Sequence, residues 1–99
     1  GLNRVRGNQA LYNKMLQMFQ NSEEFAKLDG FLAEKDYQKA GEVAHAIKGM
    51  SGNLSLTAVF EHSATLMQEL YAGAPNEATL QQYRDALEHT MSEIRDMIG

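Results

Sequence analysis

His45 and Lys48 stand three residues apart in the stretch "HAIKGMSGN", and three of the chain's eight glycines, Gly41, Gly49 and Gly52, fall within two helical turns of the histidine. An unprotonated imidazole is a nucleophile through one ring nitrogen. An ammonium one turn away compensates an anion arriving at that nitrogen. A phosphoryl group suits this pair, because its oxygens need positive charge beside them while its phosphorus is attacked. The stretch has no Walker-type glycine loop, no kinase nucleotide-binding motif and no grouped carboxylates to hold Mg²⁺. The chain can accept a phosphoryl group and shows no means of making one from ATP.

These residues must be carried by a helix, and the helix has two faces. At about 100° per residue, Val43, Ile47, Met50 and Leu54 fall within about 40° of the side opposite His45. They form a buried stripe flanked by Ala40, Ala44 and Ser51. Gly41, Gly49 and Gly52 lie within about 40° of His45 on the outward side, with Gln38 there too and Lys48 about 60° away. Each glycine weakens a helix by about 1 kcal/mol relative to alanine. One reason to keep them is close approach of a neighbouring helix in the same bundle, which would bury His45 and Lys48 at a cost. The other is to lower the surface beside His45 for an external partner. The second is the reading adopted, with Gln38, Gly41, Gly49 and Gly52 as the docking face.

The remaining elements read as helices as well. Ala, Leu, Glu, Gln, Lys and Met dominate, one proline (Pro75) interrupts, and strand-type clusters of Val, Ile and Thr are missing. A first helix follows Gly7 with Asn8 as N-cap, and Leu11, Met15, Met18 and Phe19 recur at helical spacing. "NSEE" at 21–24 reads as a capping box, Asn21 with Glu24, before Phe25, Leu28, Phe31 and Leu32. Asp36 caps the helix that carries His45. A fourth helix starts between Ser55 and Thr57 and runs to Tyr71, "AGAP" at 72–75 breaks the chain, and Asn76 caps a last helix through Leu80, Tyr83, Leu87, Met91, Ile94 and Ile98. The fold expected is all-α, an antiparallel up-and-down four-helix bundle with an additional short N-terminal helix.

Ninety-nine residues suffice for one core, so residues 1–99 read as a single domain; the missing initial methionine leaves room for excision from a larger protein. No cysteine is present, which removes disulfides and thiolate chemistry. A net charge of −4 disfavours nucleic acid as a partner. No apolar run reaches the roughly 20 residues that span a bilayer. His62 and His89 lack a neighbouring Lys-Gly pattern, and no histidine pair has metal-ligand spacing. The six methionines read as core filler rather than a promiscuous groove; Lys35 and Lys39 read equally as part of a basic patch with Lys48 around the docking face or as solvated.

"AHAIKGMSGNL", residues 44–54, resembles the signature of histidine phosphotransfer (HPt) domains, in which a helix carries H-x-x-K-G followed by small residues. "GLNRVRGNQALYNKMLQMF", "FLAEKDYQKAGEVAHAIKG" and "ATLMQEL" are similar to the family's opening segment, the lead into its active helix, and its next helix. The resemblance implies a phosphorelay intermediate with no catalytic activity of its own and no cofactor of its own. His45 would take a phosphoryl group on Nε2 from a receiver-domain aspartyl phosphate and hand it to a second receiver, with Mg²⁺ held by the receiver. Lys48 matches the lysine that steadies the phosphoryl oxygens, Gly49 the small residue that gives the receiver room, and Gln68 a polar neighbour of the phosphohistidine. The partners implied are receiver domains of response regulators or hybrid histidine kinases, met in the cytoplasm by a monomer. Two positions depart from the pattern: Ser55 stands where glycine is frequent, and Met50 where a small residue is common.

Two other readings stay open on the residues alone. The domain could be the phosphoacceptor substrate of a chemotaxis-type histidine kinase, or a helical docking domain that is never phosphorylated.

Overall fold

Helix punctuation comes from one turn that the chain uses three times. The computed structural model describes the backbone of residues 2–98 and the side chains of residues 9–98. Its helices are α1 (Leu2–Gln20), α2 (Glu24–Ala33), α3 (Tyr37–Asn53), α4 (Thr57–Tyr71) and α5 (Glu77–Ile98). Beyond α2, Lys35 takes φ 59°, its N–H bonds Leu32 O at 3.1 Å, and Asp36 N–H bonds Phe31 O at 2.9 Å. Beyond α3, Ser55 takes φ 58°, with Ser55 N–H on Gly52 O at 3.2 Å and Leu56 N–H on Ser51 O at 2.8 Å. Beyond α4, Gly73 at φ 74° bonds Leu70 O at 2.9 Å, and Ala74 bonds Glu69 O at 3.0 Å. Each is a Schellman stop, in which a left-handed residue folds the chain back onto the last carbonyls. Only Gly73 is of the residue type that adopts this conformation without strain.

The turns after α2 and α3 do double duty. Asp36 and Leu56 close the stop and also begin the next helix, so the connections are only three residues long (34–36 and 54–56) and successive helices must run antiparallel. Asp36 accepts a hydrogen bond from Lys39 N–H at 3.2 Å, as its position predicts. Leu56 has no side chain that can cap and instead packs on the core. At the last connection Asn76 Oδ1 accepts from Ala78 N–H at 2.8 Å, and Glu69 bonds both Asn76 N–H and Thr79 Oγ1 at 2.8 Å.

The bundle buries Leu16 and Phe19 of α1, Leu28 of α2, Val43, Ala44 and Ile47 of α3, Val59, Leu66 and Leu70 of α4, and Tyr83 and Ile94 of α5. α3 packs on both α2 and α4, while α5 packs on α4 and α1. Tyr12 of α1 donates its hydroxyl to Leu54 O at 2.7 Å, tying α1 to the end of α3. Burial first, and then the Asp29 carboxylate, push the Tyr83 phenol above its ordinary range against the opposing effect of Arg84.

The all-α antiparallel bundle is the architecture found, with three corrections in detail. α1 is 19 residues long rather than short, so Gly7 and Asn8 lie inside it and Asn8 is no cap. The helix begins before Gly7, the glycine after which the sequence pattern places its start. Asn21 does not cap α2; Ser22 Oγ takes the Glu24 N–H at 3.2 Å, a local turn that competes with the capping box. Met15, Met18 and Met97 are exposed rather than core, at 37%, 66% and 53%, because no other helix covers the outer side of α1 or the end of α5. Met50 is half-buried and packs on the core.

A non-glycine residue held left-handed is strained, and Ser55 holds that position at φ 58°. Ser55→Gly is expected to raise the unfolding free energy by about 0.5–1 kcal/mol, read in urea titrations as a higher midpoint at unchanged slope.

Candidate functional site

His45 is exposed near the middle of α3, and what surrounds it comes from α4. Three contacts report a single antiparallel register between the two helices. A Cβ on Gly41 would meet the Tyr71 ring at 2.7 Å (Cδ1) and 2.8 Å (Cε1). Met67 Sδ lies 3.2 Å from His45 Nδ1. A Cβ on Gly52 would meet Phe60 at 3.1 Å (Cδ2) and 3.2 Å (Cε2). Each step forward along α3 is matched by one step back along α4, from Gly41–Tyr71 through His45–Met67 to Gly52–Phe60. Small residues bring the helices this close: Ala40, Ala44 and Ser51 on α3 and Ser63 on α4 are all fully buried. The two serines satisfy their hydroxyls on their own helices, Ser51 on Ile47 O at 2.9 Å and Ser63 on Phe60 O at 3.1 Å.

The three glycines therefore divide. Gly41 is buried beneath Tyr71, and the edge of Phe60 occupies the side-chain direction of Gly52. Both seat an aromatic ring of the neighbouring helix; for Gly41, which is buried, the expectation that it lowers the surface for an external partner is corrected, while Gly52 stays exposed beside Phe60. The internal approach rejected from sequence does occur, yet it leaves His45 exposed because the rings straddle the histidine rather than cover it. Gly49 is different, since a Cβ there would meet nothing within 4 Å. On the helical wheel Gly41, Gly52 and Lys48 turn to one side of His45 and Gly49 and Gln38 to the other. The wheel shows these two flanks but not which one a neighbour covers. α4 covers the first; Gly49 and Gln38 are exposed on the second.

Lys48 is half-buried, with Nζ 5.8 Å from the centroid of the Phe60 ring. It forms no ion pair among the described residues, so its charge lies along the α3–α4 groove balanced only by a ring face. Gln68 is exposed and makes no hydrogen bond to His45 among the described residues; the contact falls to Met67, one residue earlier. One residue is about 100° of helix rotation, so a slip of one in register decides between a glutamine and a thioether. Sequence reasoning assigned Met67 to the core, and the signal that would have found it is the seating of Tyr71 on Gly41, which fixes the register. Of the other histidines, His62 is half-buried and His89 is exposed, 2.8 Å from Glu93 on the same helix. Among the described residues no three His, Asp or Glu side chains converge on a point that could hold a metal ion, and no helix is long and apolar enough to cross a membrane.

An exposed histidine at mid-helix, a lysine one turn on and an open glycine beside them is the H-x-x-K-G arrangement in three dimensions. The sequence model of the Hpt domain matches residues 14–98. The chain belongs to the Hpt domain family. The match takes in all of α2 to α5 and the last seven residues of α1, so it includes His45, Lys48, Gly49 and the α4 residues around them. No curated protein and no solved structure gives a significant match. Hpt domains are phosphocarrier modules rather than kinases; they serve histidine phosphotransfer in two-component systems and interact with receiver domains.

The division of the glycines can be measured in this Hpt domain. Gly49→Ala adds a methyl into open space and is expected to stabilise by up to about 1 kcal/mol. Gly41→Ala must displace Tyr71 and is expected to destabilise by about 1 kcal/mol net, overpacking outweighing the gain in helix propensity. Coupling Gly41→Ala with Tyr71→Ala should remove the clash and show as a favourable interaction energy in a double-mutant cycle.

Proposed function

We propose that this domain, residues 1–99 acting as one unit, is a phosphorelay intermediate. His45 accepts a phosphoryl group from the aspartyl phosphate of one receiver domain and passes it to the aspartate of another. The observation that carries this reading is the asymmetry around His45: one flank closed by α4 and its two aromatic rings, the other open at Gly49 and Gln38. A receiver approaching on the open flank brings its phosphorylated carboxylate against the imidazole without displacing any side chain. Nε2 attacks phosphorus, the N–P bond forms, and the P–O bond to the receiver's aspartate breaks with its electron pair staying on the carboxylate. Mg²⁺ belongs to the receiver. The place of work implied is the cytoplasm, as a free domain or as part of a larger sensor.

Lys48 supports the reading by its position and by how weakly it is held. A cation over an aromatic face is stabilised by about 0.5–1 kcal/mol at a partly exposed site. A charge-assisted hydrogen bond to a phosphoryl oxygen contributes about 1.5–3 kcal/mol. When a phosphoryl group reaches His45 the second wins, and the ammonium leaves Phe60 for the oxygens.

The test is transfer of label from a panel of phosphorylated receivers. Wild type is expected to gain an acid-labile, base-stable phosphoryl group at His45, His45→Gln none, and Lys48→Ala to be slower by about ten- to a hundredfold. Gly49→Leu should slow transfer by obstructing docking while leaving the thermal midpoint no lower. No label on the wild type from any receiver, or undiminished label on His45→Gln, defeats the proposal. A docking domain that is never phosphorylated would bind receivers through His45→Gln as well as through wild type and take no label.

A further inference from the structure

We infer that Met67 selects the tautomer of His45 that makes Nε2 the nucleophile; the kinetic part of this inference rests on the relay reading above, and the tautomer itself does not. A neutral imidazole has one N–H and one lone pair, and the partner of one nitrogen decides which is which. Here the partner of Nδ1 is a thioether 3.2 Å away. Sulfur in methionine carries no hydrogen and can only accept. With the proton on Nδ1 the contact is an N–H to sulfur hydrogen bond. With the proton on Nε2, two lone pairs face one another across the same gap. The contact therefore favours Nδ1–H and leaves the lone pair on Nε2, on the ring edge away from Met67.

Nothing else among the described residues competes for that role. Gln68, the polar side chain next in sequence, is exposed and makes no hydrogen bond to the ring. Met67 is half-buried and packed against the core, so its sulfur is presented by a constrained side chain. The register that seats Tyr71 on Gly41 and Phe60 on Gly52 holds α4 at the spacing the contact needs.

The proton on Nδ1 matters in both directions of transfer. As the N–P bond forms, the ring acquires positive charge that Nδ1–H spreads beside the negative phosphoryl oxygens. On the return, a receiver carboxylate oxygen bonds phosphorus, the N–P electron pair goes back to Nε2, and neutral imidazole leaves. No proton moves in either step while Nδ1 keeps its own. Loss of that proton would make the ring an anionic, poorer leaving group. Met67 is thus a positioning residue: it touches the imidazole, not the phosphoryl group, and adds no charge of its own.

The experiment is a two-bond ¹⁵N–¹H correlation spectrum of the histidine-labelled, unphosphorylated domain at about pH 8.5, where an ordinary imidazole is unprotonated. Wild type is expected to show His45 predominantly as Nδ1–H. Met67→Leu keeps the volume and removes the acceptor, so the population should move toward the Nε2–H form that free histidine favours. Met67→Gln supplies a carbonyl acceptor and should restore Nδ1–H. Transfer from a phosphorylated receiver should slow about three- to tenfold in Met67→Leu and recover in Met67→Gln. A merely structural role would show no such rescue. A wild-type spectrum dominated by Nε2–H, or a Met67→Leu spectrum identical to it, overturns the inference without needing any variant to be active. Failure of every receiver to label wild type overturns the relay reading instead and leaves the tautomer result standing.

Discussion

The close antiparallel packing of α3 on α4 is the constraint from which the site follows. Helices approach to this degree only where side chains are small, and the seam supplies Ala40, Ala44, Ser51 and Ser63, all fully buried. Once the helices are that near, larger residues beside the seam must find room on the opposite helix. Tyr71 finds it over Gly41 and Phe60 over Gly52, and between those two seats only one pairing is left for His45. The thioether contact at Nδ1 and the resting place of Lys48 are consequences of that spacing, not independent features.

The three-residue turn between the helices keeps the spacing from drifting. Leu54, Ser55 and Leu56 end α3 and start α4 with no residue to spare, and the Leu56 N–H bonded to Ser51 O clamps the turn to the last carbonyls of α3. A longer loop would let α4 slide by a residue, and a slide of one residue exchanges Met67 for a neighbour about 100° away. The strain of a serine at φ 58° accompanies that short connection. A site held on two clamped helices is placed more sharply than one on loops, which suits the proposed meeting of His45 with the active centre of a receiver.

The sequence made the helices, the buried stripe and the outward direction of His45 legible, because all three depend on the 3.6-residue period and on local caps. Asp36 and Asn76 cap where their residue types and positions say they should. What stayed hidden depends on neighbours distant in sequence. The helical wheel placed Gly41 and Gly49 equally far from His45, about 40° to either side, and nothing local says that α4 lies on one of those sides. Gln68 rests on the family resemblance alone, whereas the decision between it and Met67 belongs to interhelical register. The early start of α1 stayed hidden for a different reason: Asn8, just after Gly7, has the residue type of an N-cap, although the helix continues through both.

The two kinds of glycine also differ in what offsets them. Each lowers helix propensity by about 1 kcal/mol relative to alanine. At Gly41 and Gly52 the loss is countered inside the domain, since each admits an aromatic ring whose burial against α3 is favourable. Tyr71 and Phe60 remain 44% and 37% exposed, so the compensation is partial, but its source is visible. Gly49 has no such source: among the described residues nothing beyond its own helical turn comes within 4 Å of the place its side chain would fill. In a domain whose net stability is on the order of 5–15 kcal/mol, an uncompensated 1 kcal/mol on an exposed helix face is large enough to need a reason. Under the proposed relay that reason is the approach of a receiver on the flank where His45 is open.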